Sequence, residues 1–225
     1  MRTIFSNIAL TVSFLLAITF TFSCSGGDDN EGDNGGGNFE YGSLSYQGKT
    51  YKTIKIGNQT WMAENLNYNV IGSKCYDESE VNCNEYGRLY NWKTAMSVCP
   101  SDWHLSSNAD WESLISYVES NSGCSNCAGK HLRGTNGWLL PVFTPDNYGF
   151  TALPGGEGKS NGGFIGIGFD GNWWTSTESG INYAYCRNIS INHDAVYSMA
   201  HVDVVDGNDE GIDKTNFYSV RCVKD

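Results

Sequence analysis

The sequence predicts an α+β domain with two helices in its first half and short, mainly antiparallel strands in its second half. Two stretches with apolar residues at helical spacing come before residue 120, and short apolar runs broken by Gly and Asn follow residue 136. All eight cysteines except Cys24 lie within residues 39–225, and this number is typical of an exported chain in which disulfides persist. Residues 39–225 are therefore predicted to form one disulfide-containing domain with its own hydrophobic core.

The first 23 residues have the organisation of a signal peptide. Arg2 precedes an apolar run over residues 8–22, which is too short for a helix that spans a bilayer. Thr21-Phe22-Ser23-Cys24 then resembles the site cut by the lipoprotein signal peptidase, which leaves the cysteine as an acylated N-terminus. We therefore expect residues 1–23 to be removed and the chain to be held on a membrane through lipidated Cys24. The alternative is an ordinary secretory signal with an incidental cysteine.

Residues 24–38 are predicted to be a disordered acidic tether, because nothing after Cys24 in this stretch is apolar. Acidic residues directly after a lipidated cysteine resemble the surface-export signal of Bacteroidota lipoproteins. The expected location is the outer membrane, on the cell surface, although the periplasmic face and a merely solvated spacer remain open. The net charge is −11 and the basic residues are scattered, which argues against a nucleic acid as partner.

The first element of the domain is predicted to be a β-hairpin. Residues 50–56 alternate in side-chain type, Gly57-Asn58 interrupts the pattern, and a second short run follows over residues 59–62. Gly and Asn both tolerate the positive φ angles of a two-residue hairpin turn, so the strands are expected to pair directly.

Two amphipathic helices are predicted next. The apolar residues of the first recur at helical spacing and are Leu89, Trp92, Ala95, Met96 and Cys99, with Pro100 ending the helix. The second helix is predicted to begin after Ser107, which resembles the first residue of a capping box with Asp110. Its apolar face contains Trp111, Leu114, Ile115 and Val118.

Short strands dominate the prediction for the second half of the domain. The candidates are residues 150–153, 173–177, 183–191, 195–204 and 217–223. The glycine-rich stretch over residues 155–171 is interpreted as a loop. It contains Gly166-Ile167-Gly168, but no helix follows that could bind a phosphate, so a nucleotide site is not expected.

Several motifs, taken in order, resemble those of the Fibrobacter succinogenes major paralogous domain family. They are IGNQTWMAENLN (56–67), GRLYNW (87–92), CPSDWHL (99–105), AGK (128–130), WWTSTE (173–178) and SVRCVKD (219–225). The resemblance extends across residues 45–225. It implies a C-type-lectin-like fold, which also underlies the formylglycine-generating enzyme, and it implies no settled biochemical activity.

The same resemblance implies a disulfide between Cys99, which follows the first helix, and Cys222, which lies on the terminal strand. In the lectin fold, cysteines at these two places are joined. A bridge that closes a loop of this length contributes roughly 4 to 5 kcal/mol on the basis of chain entropy.

Two local disulfides are expected as well. Cys75 and Cys83 enclose a short acidic loop, and Cys124 and Cys127 have the spacing of a redox motif. No βαβ pattern surrounds that motif and a second cysteine pair for zinc is missing, so a structural disulfide is the favoured interpretation. Cys186 is then left over and is expected to be a buried free thiol.

An acidic segment near the C-terminus is the candidate metal site. Its possible ligands are Asp203, Asp206, Asn208 and Glu210. Asp206, Asn208 and Glu210 resemble the opening of a calcium loop in their spacing, but Phe217 occupies the position of the bidentate Glu. The triplets through which C-type lectins bind calcium and sugar are also missing. No cofactor is expected, with a solvated acidic loop as the favoured interpretation and Ca²⁺ binding as the alternative.

Three tryptophans are the candidate ligand-binding residues: Trp138, Trp173 and Trp174. One member of the pair at 173–174 would face outward from a regular strand, where an aromatic ring can stack on a sugar or anchor a protein interface. Packing inside the core is the alternative for each of them.

The predicted function is that of a non-enzymatic binding or adhesion module. The four histidines are scattered without a catalytic motif, so no catalytic residue is assigned. Glycan binding through aromatic and polar residues between Pro154 and Asn172 is the first hypothesis, and binding of a protein through the same loops is the second. An oxidase resembling the formylglycine-generating enzyme is a third.

Overall fold

The computed structural model describes residues 39–140, 146–199 and 211–225. The strands are β1 (Tyr41–Tyr46), β2 (Lys49–Ile56), β3 (Gln59–Met62), β4 (Ser73–Lys74), β5 (Leu89–Asn91), β6 (Trp103–Leu105), β7 (Gly155–Gly158), β8 (Phe164–Ile167), β9 (Asp170–Glu178), β10 (Tyr183–Ser190), β11 (Val196–Met199), β12 (Ile212–Asp213), β13 (Phe217–Ser219) and β14 (Cys222–Lys224). The helices are α1 (Glu80–Tyr86), α2 (Trp92–Ala95), α3 (Asn108–Ser122) and α4 (Ala128–Leu132), with a 3₁₀ turn at Tyr76–Glu78. The α+β class is confirmed. None of the helices in these ranges has the length and apolar character needed to cross a bilayer.

The first sheet has five strands in the order β1-β2-β3-β14-β6. The predicted hairpin is its centre: β2 and β3 are antiparallel, with Ile54 opposite Trp61, and Gly57 in the connecting turn has a φ of +60°. Strand β14 lies between β3 and β6, so the last residues of the chain form an inner strand of this sheet. The two ends of the domain are therefore joined in one sheet.

The second sheet follows the order β11-β10-β9-β7-β13-β5-β4, with β8 added beside β7 and β12 beside β10. The long strands β9 and β10 are antiparallel, whereas β9 is parallel to β7 and to β13. The glycine-rich stretch predicted to be a loop therefore contributes two strands, β7 and β8. That prediction was wrong because the glycines at 155, 156 and 158 leave room for neighbouring strands and side chains to approach the backbone closely.

Hydrophobic cores lie on both faces of β9. Trp174 belongs to the first core, with Tyr90, Tyr218 and Cys222. Trp173 belongs to the second core. Its neighbours there are Trp61, Trp111, Phe150 and Leu132. Since successive side chains of a strand point to opposite faces, a central strand covered on both sides contains adjacent buried residues.

Helix α3 begins as predicted. The backbone N–H of Asp110 donates to Oγ of Ser107 at 3.2 Å, and the backbone N–H of Ser107 donates to Oδ2 of Asp110 at 2.7 Å, which completes the capping box. Trp111, Leu114 and Val118 are buried on its inner face. Gly123 ends the helix in the left-handed conformation.

The first predicted helix is shorter than expected. Residues 89–91 form strand β5, which pairs with β13, so Leu89 is not helical. The helix α2 begins only after Asn91, whose side-chain oxygen accepts the backbone N–H of Thr94 at 2.9 Å. Pairing with a strand far along the chain thus overrides the helical spacing, which the sequence alone could not reveal. Helices α1 and α4 were not predicted.

Two predicted strands are corrected. Residues 150–153 form no strand and make a single bridge, between Ala152 and Arg133. Residues 217–223 form two strands, β13 and β14, which belong to different sheets. The chain changes sheets at Val220-Arg221. Strand β11 covers the first part of the predicted run 195–204, and residues 200–204 lie outside the described residues.

A fully buried arginine, Arg221, holds this crossing in place. Its Nε donates to Oδ1 of Asn65 at 2.8 Å, and Nη2 donates to the carbonyl of Thr151 at 2.7 Å. Nη1 donates to the carbonyls of Met62 and Phe150. Burial lowers the pKa of the guanidinium. The carbonyls of Phe150 and Thr151 therefore accept hydrogen bonds from this side chain and not from a neighbouring strand.

The cysteines assigned to disulfides lie at disulfide distance in three pairs. Cys99 and Cys222 are joined with their Cα atoms 5.9 Å apart. The local pairs are Cys75–Cys83 and Cys124–Cys127. Cys186 is the free cysteine among the described residues; it is buried, and burial raises the pKa of its thiol.

Candidate functional site

A cleft of about 450 Å³ opens at one end of the second sheet, between β7, β8, β9, β10 and β11. We call it the asparagine cleft. Its lining residues are Glu157, Ile165, Gly166, Phe169, Asp170, Asn172, Asn188, Asn192 and Met199. The volume falls in the range of sites that bind small molecules or a few sugar rings.

The floor of the cleft is the polar continuation of a core. Along β9, Asp170, Asn172 and Trp174 alternate onto one face, and along β10, Cys186 and Asn188 lie on the same face. Trp174 and Cys186 are packed in the first core. Asparagine replaces the apolar side chain two residues before Trp174 on β9 and two residues after Cys186 on β10, so the core gives way to a cavity with polar walls.

Asn172 and Asn188 are directly opposite each other across β9 and β10. Nδ2 of Asn188 donates to Oδ1 of Asn172 at 2.8 Å and lies 3.4 Å from Oδ1 of Asp170. Both asparagines are buried. Within the described residues, Nδ2 of Asn172 and Oδ1 of Asn188 have no hydrogen-bond partner, so one donor and one acceptor are left for a ligand.

Two carboxylates make the cleft acidic. Glu157 on β7 is buried, and its Oε1 pairs with Nζ of Lys159, while its Oε2 has no partner among the residues described. Asp170 is half-buried at the start of β9. Tyr218 lies nearby: burial raises the pKa of its hydroxyl, and the carboxylate of Glu157 raises it further. The cleft therefore favours ligands that offer hydrogen-bond donors.

An apolar rim borders the polar floor. It consists of Ile165, which is 53% exposed, Phe169, which is 42% exposed, and the neighbouring Leu139. The turn before β9 presents Phe169: its backbone N–H donates to the carbonyl of Gly166 at 3.0 Å. Gly168 has a φ of +81°, and a Cβ there would lie 2.7 Å from Cγ of Leu139. Residue 168 must therefore be glycine, because any side chain there would clash with Leu139.

The part of the chain that forms the cleft and its supporting strands matches the model of a known protein family. The family model described as the Fibrobacter succinogenes major domain matches residues 54–224. The chain belongs to this family. The matched part of this Fibrobacter succinogenes major domain extends from β2 to β14 and contains the whole asparagine cleft. No curated protein and no solved structure gives a match to the chain.

Trp173 and Trp174 do not face outward in this Fibrobacter succinogenes major domain. Both are fully buried, which corrects the prediction from strand alternation. Nε1 of Trp173 donates to Oδ1 of Asn65 at 2.8 Å, and Nε1 of Trp174 donates to the carbonyl of Tyr90 at 2.7 Å. The prediction assumed one solvent-facing side of β9, but the sheet is covered on both.

Trp138 is half-buried and packs against the second core. The guanidinium of Arg133 lies 6.0 Å from its ring centroid, and its Nε1 is buried without a partner in the described part of the chain. It precedes Leu139 of the apolar rim. Its predicted part in ligand binding stays a prediction.

The predicted metal ligands of the Fibrobacter succinogenes major domain, Asp203, Asp206, Asn208 and Glu210, lie outside the described residues. Lipidation of Cys24 concerns residues that are likewise outside them. Calcium binding and lipidation therefore stay predictions.

The segment predicted to bind a glycan, residues 154–172, contains part of the cleft lining, but the individual cleft residues were not predicted. The missed signal was the position of Asn172 and Asn188 on strand faces that otherwise carry Trp174 and Cys186. A polar residue at a core-facing position of a strand is informative, because its burial requires a hydrogen-bond partner or a ligand.

Proposed function

We propose that this Fibrobacter succinogenes major domain is a non-enzymatic module that binds carbohydrate in the asparagine cleft. The observation that carries the proposal is the pair of buried amides, Asn172 and Asn188, which leave one donor and one acceptor at the floor. Sugar hydroxyls both donate and accept hydrogen bonds, and amide groups match both roles. Phe169 on the rim adds an exposed ring on which a sugar face can pack.

The floor is held ready before a ligand arrives. Asn188 is oriented by its hydrogen bond to Asn172, and both side chains are buried on the same face of the β9–β10 pair. Ordering of side chains during binding therefore costs little free energy, which favours useful affinity from a small contact area. The charge of Glu157 is compensated by Lys159, so the carboxylate of Asp170 is the charge in the lining that favours neutral or cationic sugars over acidic ones.

The same proposal places the domain outside the cytoplasm. We infer a lipid anchor at Cys24 and a location on the outer membrane, with the cleft available at the cell surface. The signal-peptide organisation of residues 1–23 supports export. Three cysteine pairs at disulfide distance support it as well, because disulfides persist in oxidising compartments.

A C-type-lectin-like fold is part of the proposal. It is supported by the bridge between Cys99, just after α2, and Cys222 on the terminal strand β14. The inner position of β14 in the first sheet also supports it, since the start and the end of the domain then form one unit.

Binding of a protein partner is the second candidate. The observation in its favour is the exposure of apolar side chains beside the cleft, namely Leu139, Leu140, Ile165 and Phe169. Contiguous apolar surface with a polar border is typical of protein interfaces. A protein ligand would use the rim and depend little on the two asparagines.

A glycan array probed with the purified full-length protein tests the first candidate. Binding should survive EDTA, because the cleft supplies hydrogen bonds and an aromatic face and needs no ion. Phe169→Ala and Ile165→Ala should weaken binding at least about tenfold, a loss of roughly 1.4 kcal/mol. Ile181→Ala is the matched control, since Ile181 is exposed and does not line the cleft. An array without binding, or equal binding by Phe169→Ala, contradicts the carbohydrate proposal.

A further inference from the structure

Two sulfurs and one imidazole meet between the end of α3 and the start of α4. Sγ of Cys124 lies 3.7 Å from Nε2 of His131. Together with Sγ of Cys127, these ligand atoms all lie within 4.8 Å of one another. The two sulfurs are joined as a disulfide. The cluster is separate from the asparagine cleft, none of whose lining residues it contains.

We propose that this cluster is a redox-gated zinc site: the Cys124–Cys127 disulfide closes it, and reduction opens it to bind Zn²⁺ through both thiolates and Nε2 of His131. Two thiolates and one imidazole are a ligand set that zinc prefers over calcium or magnesium. Three protein ligands leave the fourth tetrahedral position to a water molecule.

The gating step is an ordinary thiol–disulfide exchange with a dithiol reductant. The reductant supplies two electrons, the bond between Sγ of Cys124 and Sγ of Cys127 breaks, and the reductant becomes a cyclic disulfide. Each released thiol then loses its proton when its sulfur binds the metal. Two Zn–S bonds and one Zn–N bond form, and the zinc ion itself is neither oxidised nor reduced.

The spacing of the ligand atoms suits zinc. With Zn–S bonds of about 2.3 Å and Zn–N bonds of about 2.0 Å, a tetrahedral site has an S···N separation of roughly 3.6 Å. Sγ of Cys124 and Nε2 of His131 are 3.7 Å apart before any metal is bound. The two bonded sulfurs must also separate, and that is what reduction permits.

The backbone around the cluster is held without the disulfide. The backbone N–H of Cys124 donates to the carbonyl of Glu119, and that of Cys127 donates to Oε1 of the same residue, both at 3.2 Å. At the far end, the backbone N–H of Lys130 donates to the carbonyl of Asp194 at 2.9 Å. Both helices therefore keep their ends in place when the bridge, which spans a sequence separation of only 3, is cut.

His131 is oriented for ligation by its other ring nitrogen. Nδ1 lies 2.9 Å from the side-chain amide of Asn147, and the ring packs edge-on against Tyr148. Rotation of the Asn147 amide presents its oxygen to Nδ1–H when Nε2 binds the metal. Such a hydrogen bond on the second nitrogen is a regular feature of zinc-binding histidines.

The other sulfur cluster among the described residues lacks these properties. Cys75 and Cys83 lie beside Glu80, whose Oε1 is occupied by Nη2 of Arg88 at 2.7 Å. Both cysteines are buried and no imidazole is present. Cys124, in contrast, is half-buried and is followed by exposed Ser125 and Asn126, so a reductant can approach it.

The test begins with graded reduction of the full-length protein by dithiothreitol, followed by alkylation and peptide mapping. We expect Cys124 and Cys127 to become free while Cys99 and Cys222 are still joined. The selectively reduced protein should then take up one Zn²⁺ per chain from a chromophoric chelator, and the oxidised protein none. Substitution of Co²⁺ should produce a tetrahedral spectrum with sulfur-to-metal charge transfer.

Variants separate this site from incidental thiol binding. His131→Gln should weaken zinc binding at least about tenfold, and Cys124→Ser with Cys127→Ser should abolish it. His104→Gln and the pair Cys75→Ser with Cys83→Ser are the controls, and both should bind zinc like the unaltered protein. Equal zinc affinity of His131→Gln, absence of uptake by the reduced protein, or reduction of Cys99–Cys222 before Cys124–Cys127 would overturn the proposal.

Discussion

Trp173 and Trp174 are adjacent on β9, yet their rings lie in different hydrophobic cores on opposite faces of the sheet. Each indole N–H is satisfied by a buried acceptor, Oδ1 of Asn65 for Trp173 and the carbonyl of Tyr90 for Trp174. The pair therefore connects the two cores, and its contribution is to stability.

Replacement of either tryptophan by alanine should lower the free energy of unfolding by about 3 to 5 kcal/mol, because a large cavity is left and a buried acceptor loses one donor. Urea denaturation of Trp173→Ala and Trp174→Ala measures the loss. Ile181→Ala, at an exposed position, should change stability by less than about 0.5 kcal/mol. A tryptophan variant that keeps full stability would contradict the double-core arrangement.

Removal of the long-range disulfide should be far more damaging than removal of a local one. The Cys99–Cys222 bridge spans a sequence separation of 123, whereas Cys124–Cys127 spans 3. On the basis of chain entropy, Cys99→Ser with Cys222→Ser should cost about 5 kcal/mol, and Cys124→Ser with Cys127→Ser about 2 kcal/mol. Thermal and denaturant unfolding of the two double variants should show this order; similar losses would argue against it.

Arg221 should tolerate neither an apolar nor a lysine substitution. Arg221→Met leaves Oδ1 of Asn65 without one of its donors and the buried carbonyls of Phe150 and Thr151 without their guanidinium donor. We expect a loss of about 3 to 5 kcal/mol on unfolding, as for other broken buried charge networks. Arg221→Lys should also destabilise, since one ammonium cannot reach all of these acceptors. Lys93→Met, at an exposed position, is the control and should remain within about 0.5 kcal/mol.

His104 should make stability depend on pH between the slightly acidic and the slightly basic range. Burial lowers the pKa of its imidazole, but the carboxylates of Asp225 at 2.6 Å and Asp110 at 3.2 Å raise that pKa by more, so the result lies above 6.5. Stability from protonated His104 is fully present below its unfolded pKa and is lost as the pH rises through the folded pKa.

Asp110, the carboxylate partner of His104, sets the acid limit of this pH range. Burial raises the pKa of Asp110, but hydrogen bonds from Ser107 and the proximity of His104 lower it by more, to below 3.8. Stability from Asp110 is present above that value and is lost as the pH falls through the folded pKa. The destabilisation by His104→Gln should therefore be larger at pH 5.5 than at pH 8.5 in denaturant titrations. An equal effect at both pH values would exclude the ionic contribution.

Cys24→Ala should release the protein from the membrane fraction if the inferred lipid anchor exists. Without an acylated cysteine, an acidic tether offers no apolar surface for the bilayer. Fractionation of cells that express either form, with detection of the domain in each fraction, measures the shift. Cys186→Ala is the control, because this buried thiol contributes no anchor; membrane retention of Cys24→Ala would count against lipidation.

Several elements were predictable because their causes are local. Gly57-Asn58 is followed by Gln59 to Met62 in the predicted hairpin, and Ser107 with Asp110 starts α3 as a capping box. Turn and capping chemistry act within a few residues, so they can be read from the chain directly. Residues 89–91 failed as a helix because their strand partner, β13, lies near the other end of the chain.

The asparagine cleft shows the limit of local reasoning at a site. Phe169 and Asp170 fall inside the segment expected to bind a ligand, but that segment was interpreted as a loop. Asn188 comes from another strand, and its alignment with Asn172 depends on the register of β9 and β10. A single-residue change of register between the two strands would turn Asn188 to the face opposite Asn172.

The sequence by itself determined the α+β class, the family and the cysteine positions available for pairing, because composition, motif order and local turn chemistry decide these. It also located the segment that contains most of the cleft. Only the tertiary structure decided that β9 is buried on both faces, so that neither Trp173 nor Trp174 faces outward. It alone brought Asn172 beside Asn188 and His131 beside the Cys124–Cys127 bridge. These arrangements depend on strand register and helix packing, which are fixed by contacts between residues distant in the chain.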